Sequence, residues 1–162
     1  MTGWRQFILR AQMTLDRLAW GLCEIRRVLV ERGFWPAPEV AVVTAEGKRA
    51  SIRETRVLPD NGKGKAAGLV VPEANCLSGD MQLPEVRRSD LGAAVQEALW
   101  RLSPVPPDQV AFAWTAAPDA QAGWQVQWLM CRRSVQQDML AQQGLAADVP
   151  VYLSHAGQVW AV

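Results

Sequence analysis

Few residues in this chain have the types and spacing that chemistry needs. The single histidine, His155, follows Ser154 and comes soon after Asp148, so the three residue types of a hydrolase triad sit close in sequence. Nucleophilic catalysis of that kind needs the serine on a sharp turn beside an oxyanion hole, and no Gly-x-Ser-x-Gly elbow is present. His155 therefore reads as an exposed hairpin histidine. Gly62-Lys63-Gly64-Lys65 offers glycines and lysines to a phosphate, but a P-loop ends in Gly-Lys-Ser/Thr and opens a helix, whereas an apolar strand comes next here. It reads as a solvated loop. Asp108, Asp119 and Asp138 fall on separate elements, and no carboxylate pair has the spacing of a general acid and base. Cys23, Cys76 and Cys131 are odd in number and lack CxxC or Cys-His spacing, which disfavours a disulfide framework and a zinc site. They read as small buried hydrophobes. No catalytic residue, metal or cofactor is assigned.

The composition bounds what these residues can belong to. The chain has 162 residues, 49% of them hydrophobic and 20% charged, enough for one globular core with an appended arm. A net charge of +1 gives no global attraction to nucleic acid or an anionic membrane. Within residues 1–33, Arg5, Arg10, Arg17, Arg26, Arg27 and Arg32 face only Asp16, Glu24 and Glu31, a modest positive excess. Eight tryptophans accompany one tyrosine and three phenylalanines, and Trp4, Trp20 and Trp35 lie in or just after the arm. Tryptophan suits core edges, interfaces and headgroup regions. The strands interleave tryptophan with glutamine rather than with Arg or Lys, which argues against a single-stranded nucleic-acid platform. No signal-peptide pattern and no run of about 20 apolar residues occurs, so a soluble, cytoplasmic chain is expected.

The elements that would position these residues can be read from periodicity. Residues 4–32 predict an amphipathic helix, with Leu15, Leu18, Leu22, Ile25 and Leu29 as its cleanest stripe and Gly33, Pro36 and Pro38 as its stop. Residues 1–36 thus form an arm and 37–162 an α+β domain. Glu39 to Thr44, a turn at Glu46-Gly47-Lys48 and an extended stretch from Ala50 to Arg56 predict a hairpin. Ala67 to Val71 and Cys76 to Leu83 are strands ending at Pro72 and Pro84. A helix with Val86, Leu91, Ala94, Val95, Ala98, Leu99 and Leu102 on one face comes next, capped by Ser89 or Asp90, or starting earlier at Glu85. Strands from Gln109 to Trp114 and Trp124 to Arg132 flank a turn at 118–123. A Ser134-capped helix runs to Gln143, and short strands lie at 149–153 and 158–162.

The run from Leu83 to Val110 joins a strand end, this helix and the stiff exit Arg101-Leu102-Ser103-Pro104-Val105-Pro106-Pro107-Asp108-Gln109-Val110. It is similar to the cytoplasmic region of the PilN and GspL-like assembly proteins of type IV pili and type II secretion, where Leu-Pro precedes a helix ending in an Arg-x-Thr-Pro-Phe-Pro-x-Asp/Glu-x-Val sequence. Ser103 stands for the threonine and Val105 for the phenylalanine, and the likeness covers about residues 39–150. The resemblance implies a mixed sheet with packed helices forming a degenerate actin-like (RNase H-like) lobe. It also implies a cytoplasmic scaffold at the inner face of the bacterial inner membrane that binds an assembly ATPase. In the type II secretion relatives a transmembrane helix comes after this region, so membrane anchorage rests on the resemblance. Actin-like ATPases hold metal and phosphate with Asp-x-Gly-Ser/Thr in the first hairpin turn. Here that turn is Thr44-Ala45-Glu46-Gly47-Lys48, without the aspartate and with Lys48 for the hydroxyl residue.

Three functions stay open on the sequence. The first is a non-catalytic scaffold that binds an assembly ATPase or a sister platform protein through its sheet edge or the Leu83–Val110 helix, with Leu91, Val95, Leu99, Trp100, Arg101 and Val105 as candidate contacts, and that can also form a homodimer. The second is an actin-like nucleotide-binding enzyme. The third is a membrane-surface adaptor acting through residues 4–32.

Overall fold

Short β-branched runs with alternating burial build most of the molecule. The computed structural model describes residues 14, 15, 18, 19, 21–23, 25, 26, 28–30, 34–36, 38–60, 65–119 and 123–162. Its elements are β1 (Glu39–Thr44), β2 (Arg49–Arg53), β3 (Arg56–Pro59), β4 (Leu69–Val71), β5 (Leu77–Leu83), α1 (Arg88–Leu102), β6 (Val110–Pro118), β7 (Trp124–Arg132), α2 (Arg133–Gln142), β8 (Val151–His155) and β9 (Gln158–Ala161). The α+β class is as expected. In place of one mixed sheet, however, the strands form a closed ring, β1-β2-β3-β9-β8-β4, and a separate sheet, β5-β7-β6.

In the ring, β1, β2 and β3 make an antiparallel meander, β4 runs parallel to both β1 and β8, and β9 folds back on β8. Closure is thin. It consists of the register pair Arg56↔Gln158 and a 2.7 Å bond from the Val159 N–H to the Thr55 carbonyl. β4 is buried at all three positions, as a short parallel strand with neighbours on both edges should be. Alternate residues of the same strands feed two cores, because successive side chains leave a strand on opposite faces. Val42, Ala50, Ile52, Val70 and Val159 form one cluster. Val43, Leu69, Val71, Leu153 and Trp160 pack on the other side, against Ala113, Leu129 and Cys131 of the second sheet and Leu140 of α2.

The second sheet has β7 at its centre, antiparallel to both neighbours. Trp124, Val126 and Met130 face α1, while Leu129 and Cys131 on the opposite face join the ring's core. The sheet carries a close approach that only glycine permits. Gly79 lies across from Trp128, and a Cβ there would come within 2.5 Å of the indole Cζ2.

Several local expectations are corrected. The extended stretch from Ala50 to Arg56 is two strands, because Glu54 adopts a φ of 56° and turns the chain within two residues. α1 starts at Arg88, with Arg87 at the N-cap and no side-chain cap; the Ser89 hydroxyl donates to Asp90 Oδ1 at 3.0 Å. Arg132, not Ser134, is the N-cap of α2. Cys23 is exposed, so not all three cysteines are buried.

The described residues between 14 and 30 are helical. Val30 is fully buried, and Arg26 lies 3.6 Å from Glu54, so the end of this helix rests on the domain. Leu15, Leu18, Leu22 and Ile25, by contrast, are 58–68% exposed. Trp4, Phe7 and Trp20, the loop residues 61–64 and the turn residues 120–122 lie outside the described residues.

Candidate functional site

The six residues named as a partner surface separate into two groups. Leu91, Val95 and Leu99 are 5%, 0% and 0% exposed and pack against Val110, Trp124, Val126 and Met130. They hold α1 on its own sheet, which removes them from any docking surface. Trp100 and Arg101 lie on the outer side of the helix, with the Arg101 guanidinium paired to Glu97 one turn back. Val105 is half-buried against the same core.

Beyond its last turn, α1 runs into a rigid wall. The Ser103 N–H donates to the Leu99 carbonyl at 2.9 Å, ending the helix. The Ser103 hydroxyl donates to the Val105 carbonyl at 2.7 Å and lies 3.3 Å from the Val105 N–H, folding the exit into a local turn. Pro104, Pro106 and Pro107 fix φ on either side of Val105. This wall closes one side of a cavity of about 310 Å³, lined also by Ala74, Cys76, Leu77, Met130 and Val135. Leu77 at its edge is 58% exposed, and Leu102 and Trp100 on the neighbouring helix end are 53% and 46% exposed. Arg132 brings one cation to the lining. An apolar cavity with a single basic group suits an apolar anchor side chain with a carboxylate beside it.

The other chemical candidates have structural partners. His155 Nδ1 lies 2.8 Å from Glu73 Oε1, and Glu73 Oε2 accepts the Ala156 N–H at 3.0 Å. Glu73 thus ties down the β8–β9 turn, and that backbone hydrogen bond, with the charge of His155 second to it, holds its carboxyl below the usual glutamate range. Neither Ser154 nor Asp148 is the partner of His155. No sequence signal pointed to Glu73, which is far from His155 along the chain. Asp108 and Asp138 lie on the 3₁₀ turn before β6 and on α2, well separated in topology. Among the described residues no group of three or more metal-ligating side chains occurs.

The described residues also line two further cavities. One of about 340 Å³ lies where β1, β4 and β8 end, lined by Thr44, Glu46, Lys48, Val70 and Ser154. Its charges are already paired, with Lys48 Nζ 2.7 Å from Glu46 Oε2, and that pairing lowers the glutamate and raises the lysine from their ordinary values. The other, about 590 Å³, separates the second sheet from the β8–β9 hairpin. It presents amides and hydroxyls from Thr115, Gln125, Gln127, Tyr152 and Gln158, and its one carboxylate, Glu54, faces Arg26. Among the described residues no helix is long and apolar enough to cross a membrane. No protein-family model and no curated protein matches the chain.

Proposed function

We propose that the chain is a non-catalytic scaffold of a type II secretion or type IV pilus assembly platform, docking an assembly ATPase or a sister subunit at the exit of α1. The observation that carries this reading is the apolar cavity walled by Ser103-Pro104-Val105 and lined by exposed Leu77, with Leu102 and Trp100 exposed on the last turn of α1. Most of these residues belong to the Leu83–Val110 run that resembles the PilN and GspL-like proteins. Burial of Leu91, Val95 and Leu99 gives the wall a rigid support. The order β3-β2-β1-β4-β8, an antiparallel meander continued by two parallel strands, is compatible with the RNase H-like lobe that the resemblance implies. β9 departs from it by closing the ring. Pull-down of the assembly ATPase tests the proposal: wild-type chain retains the partner, whereas Leu77→Asp with Trp100→Ala loses it. Equal retention by both would sink this surface.

The nucleotide-binding alternative is favoured by one feature, the cavity at the carboxyl ends of the parallel strands, where ligands of α/β sheets collect. Against it, the only carboxylate in that lining is Glu46, bound to Lys48, and hard cations that accompany nucleotides call for free oxygen ligands. Calorimetry with ATP and magnesium is expected to show no heat of binding.

A further inference from the structure

The two cysteines farthest from the arm meet across strands. Leu77 of β5 pairs with Met130 of β7 in an antiparallel register. Cys76 continues the extended backbone by one residue, with φ −116° and ψ 144°, so the same register sets it opposite Cys131. Residues directly opposed in an antiparallel pair have Cα atoms about 4.5–5.5 Å apart. A disulfide spans about 4.4–6.8 Å between Cα atoms, so a directly opposed pair falls within its reach. Both residues line the 310 Å³ cavity beside Pro104 and Val105, where the Cys76 thiol donates to the Pro72 carbonyl at 3.6 Å and the Cys131 thiol to the Arg132 carbonyl at 3.5 Å. The cavity gives a small reagent access to sulfur atoms that are otherwise half-buried and buried.

We infer that Cys76 and Cys131 form a redox modification site, a dithiol that a hydroperoxide converts to a cross-strand disulfide. The interaction between the two thiols holds Cys131 below its ordinary value and, with burial, pushes Cys76 well above, a direction that suits Cys131 as the attacking sulfur. The Cys131 sulfur displaces hydroxide from the peroxide as the O–O bond breaks; the thiol proton converts that hydroxide to water and leaves a sulfenic acid. The Cys76 sulfur then attacks the Cys131 sulfur, forming the S–S bond and expelling a second water that takes up the Cys76 proton. Two thiols lose two electrons and one peroxide becomes two waters. The pairing needs nothing from the scaffold reading, since it rests on register and cavity alone.

The test treats the folded Cys23→Ser chain with hydrogen peroxide, blocks remaining thiols with iodoacetamide after denaturation, and measures intact mass and linked peptides. The expected result is a monomer lighter by two hydrogens, unalkylated at both positions, with a peptide joining Cys76 to Cys131 that dithiothreitol separates. With Cys76→Ser added, Cys131 instead gains oxygen. Full alkylation of both cysteines after peroxide, or bridges found only between molecules, would overturn the inference.

Discussion

At the residue scale, burial decides what each side chain of α1 does. Leu99 is fully enclosed, so Leu99→Ala should cost about 2–5 kcal/mol in chemical denaturation. Trp100, one position on, lies outside; Trp100→Ala should change stability by less than about 0.5 kcal/mol while weakening partner binding about tenfold or more. The pair of measurements separates support from contact. Glu73 gives a pH prediction. Because its carboxyl is held below the ordinary range, its contribution is fully present above the unfolded-state pKa and is lost as pH falls through the folded-state value. Glu73→Gln should therefore lower the melting temperature at neutral pH, and the gap to wild type should close on acidification. The helical spacing of Leu91, Val95 and Leu99 made their shared face legible in the sequence. That the face meets the chain's own sheet was not, since periodicity names a face and never its partner. Glu73 and His155 escaped for a related reason, because a contact between distant residues leaves no local spacing to read.

At the element scale, the N-terminal helix sets one apolar side against the domain at Val30 and leaves Leu15, Leu18, Leu22 and Ile25 open to solvent. Their alternating three- and four-residue steps are those of a coiled-coil seam. If a second copy covers this stripe, sedimentation velocity should find a concentration-dependent dimer that Leu18→Asp with Leu22→Asp converts to monomer. Co-sedimentation of wild type with anionic liposomes, abolished by the same substitutions, would assign the stripe to a membrane surface instead. The strands were mostly placed by their alternation, and the break within 50–56 was hidden. Glu54 carries no turn signature, and it takes a left-handed φ because the Arg53↔Arg56 pairing demands a two-residue connection.

At the scale of the whole molecule, ring and second sheet share one core, in which Val43, Leu69 and Leu153 touch Ala113, Leu129 and Cys131. The two should unfold together, with far-ultraviolet circular dichroism and tryptophan fluorescence giving coincident urea transitions; separate midpoints would mean independent units. The amino-acid order by itself determined the α+β class, the positions of most strands, the apolar face of α1 and the stiff exit at Ser103-Pro104-Val105. These obey local rules: side chains alternate along strands, recur every three to four residues in helices, and prolines restrict φ. Only the tertiary structure decided that β4 lies between β1 and β8, that β9 closes the ring, that Cys76 faces Cys131 and that Glu73 clasps His155. Each joins residues far apart along the chain. Such pairings are chosen by how whole faces fit and bury one another, a property that no single stretch of sequence contains.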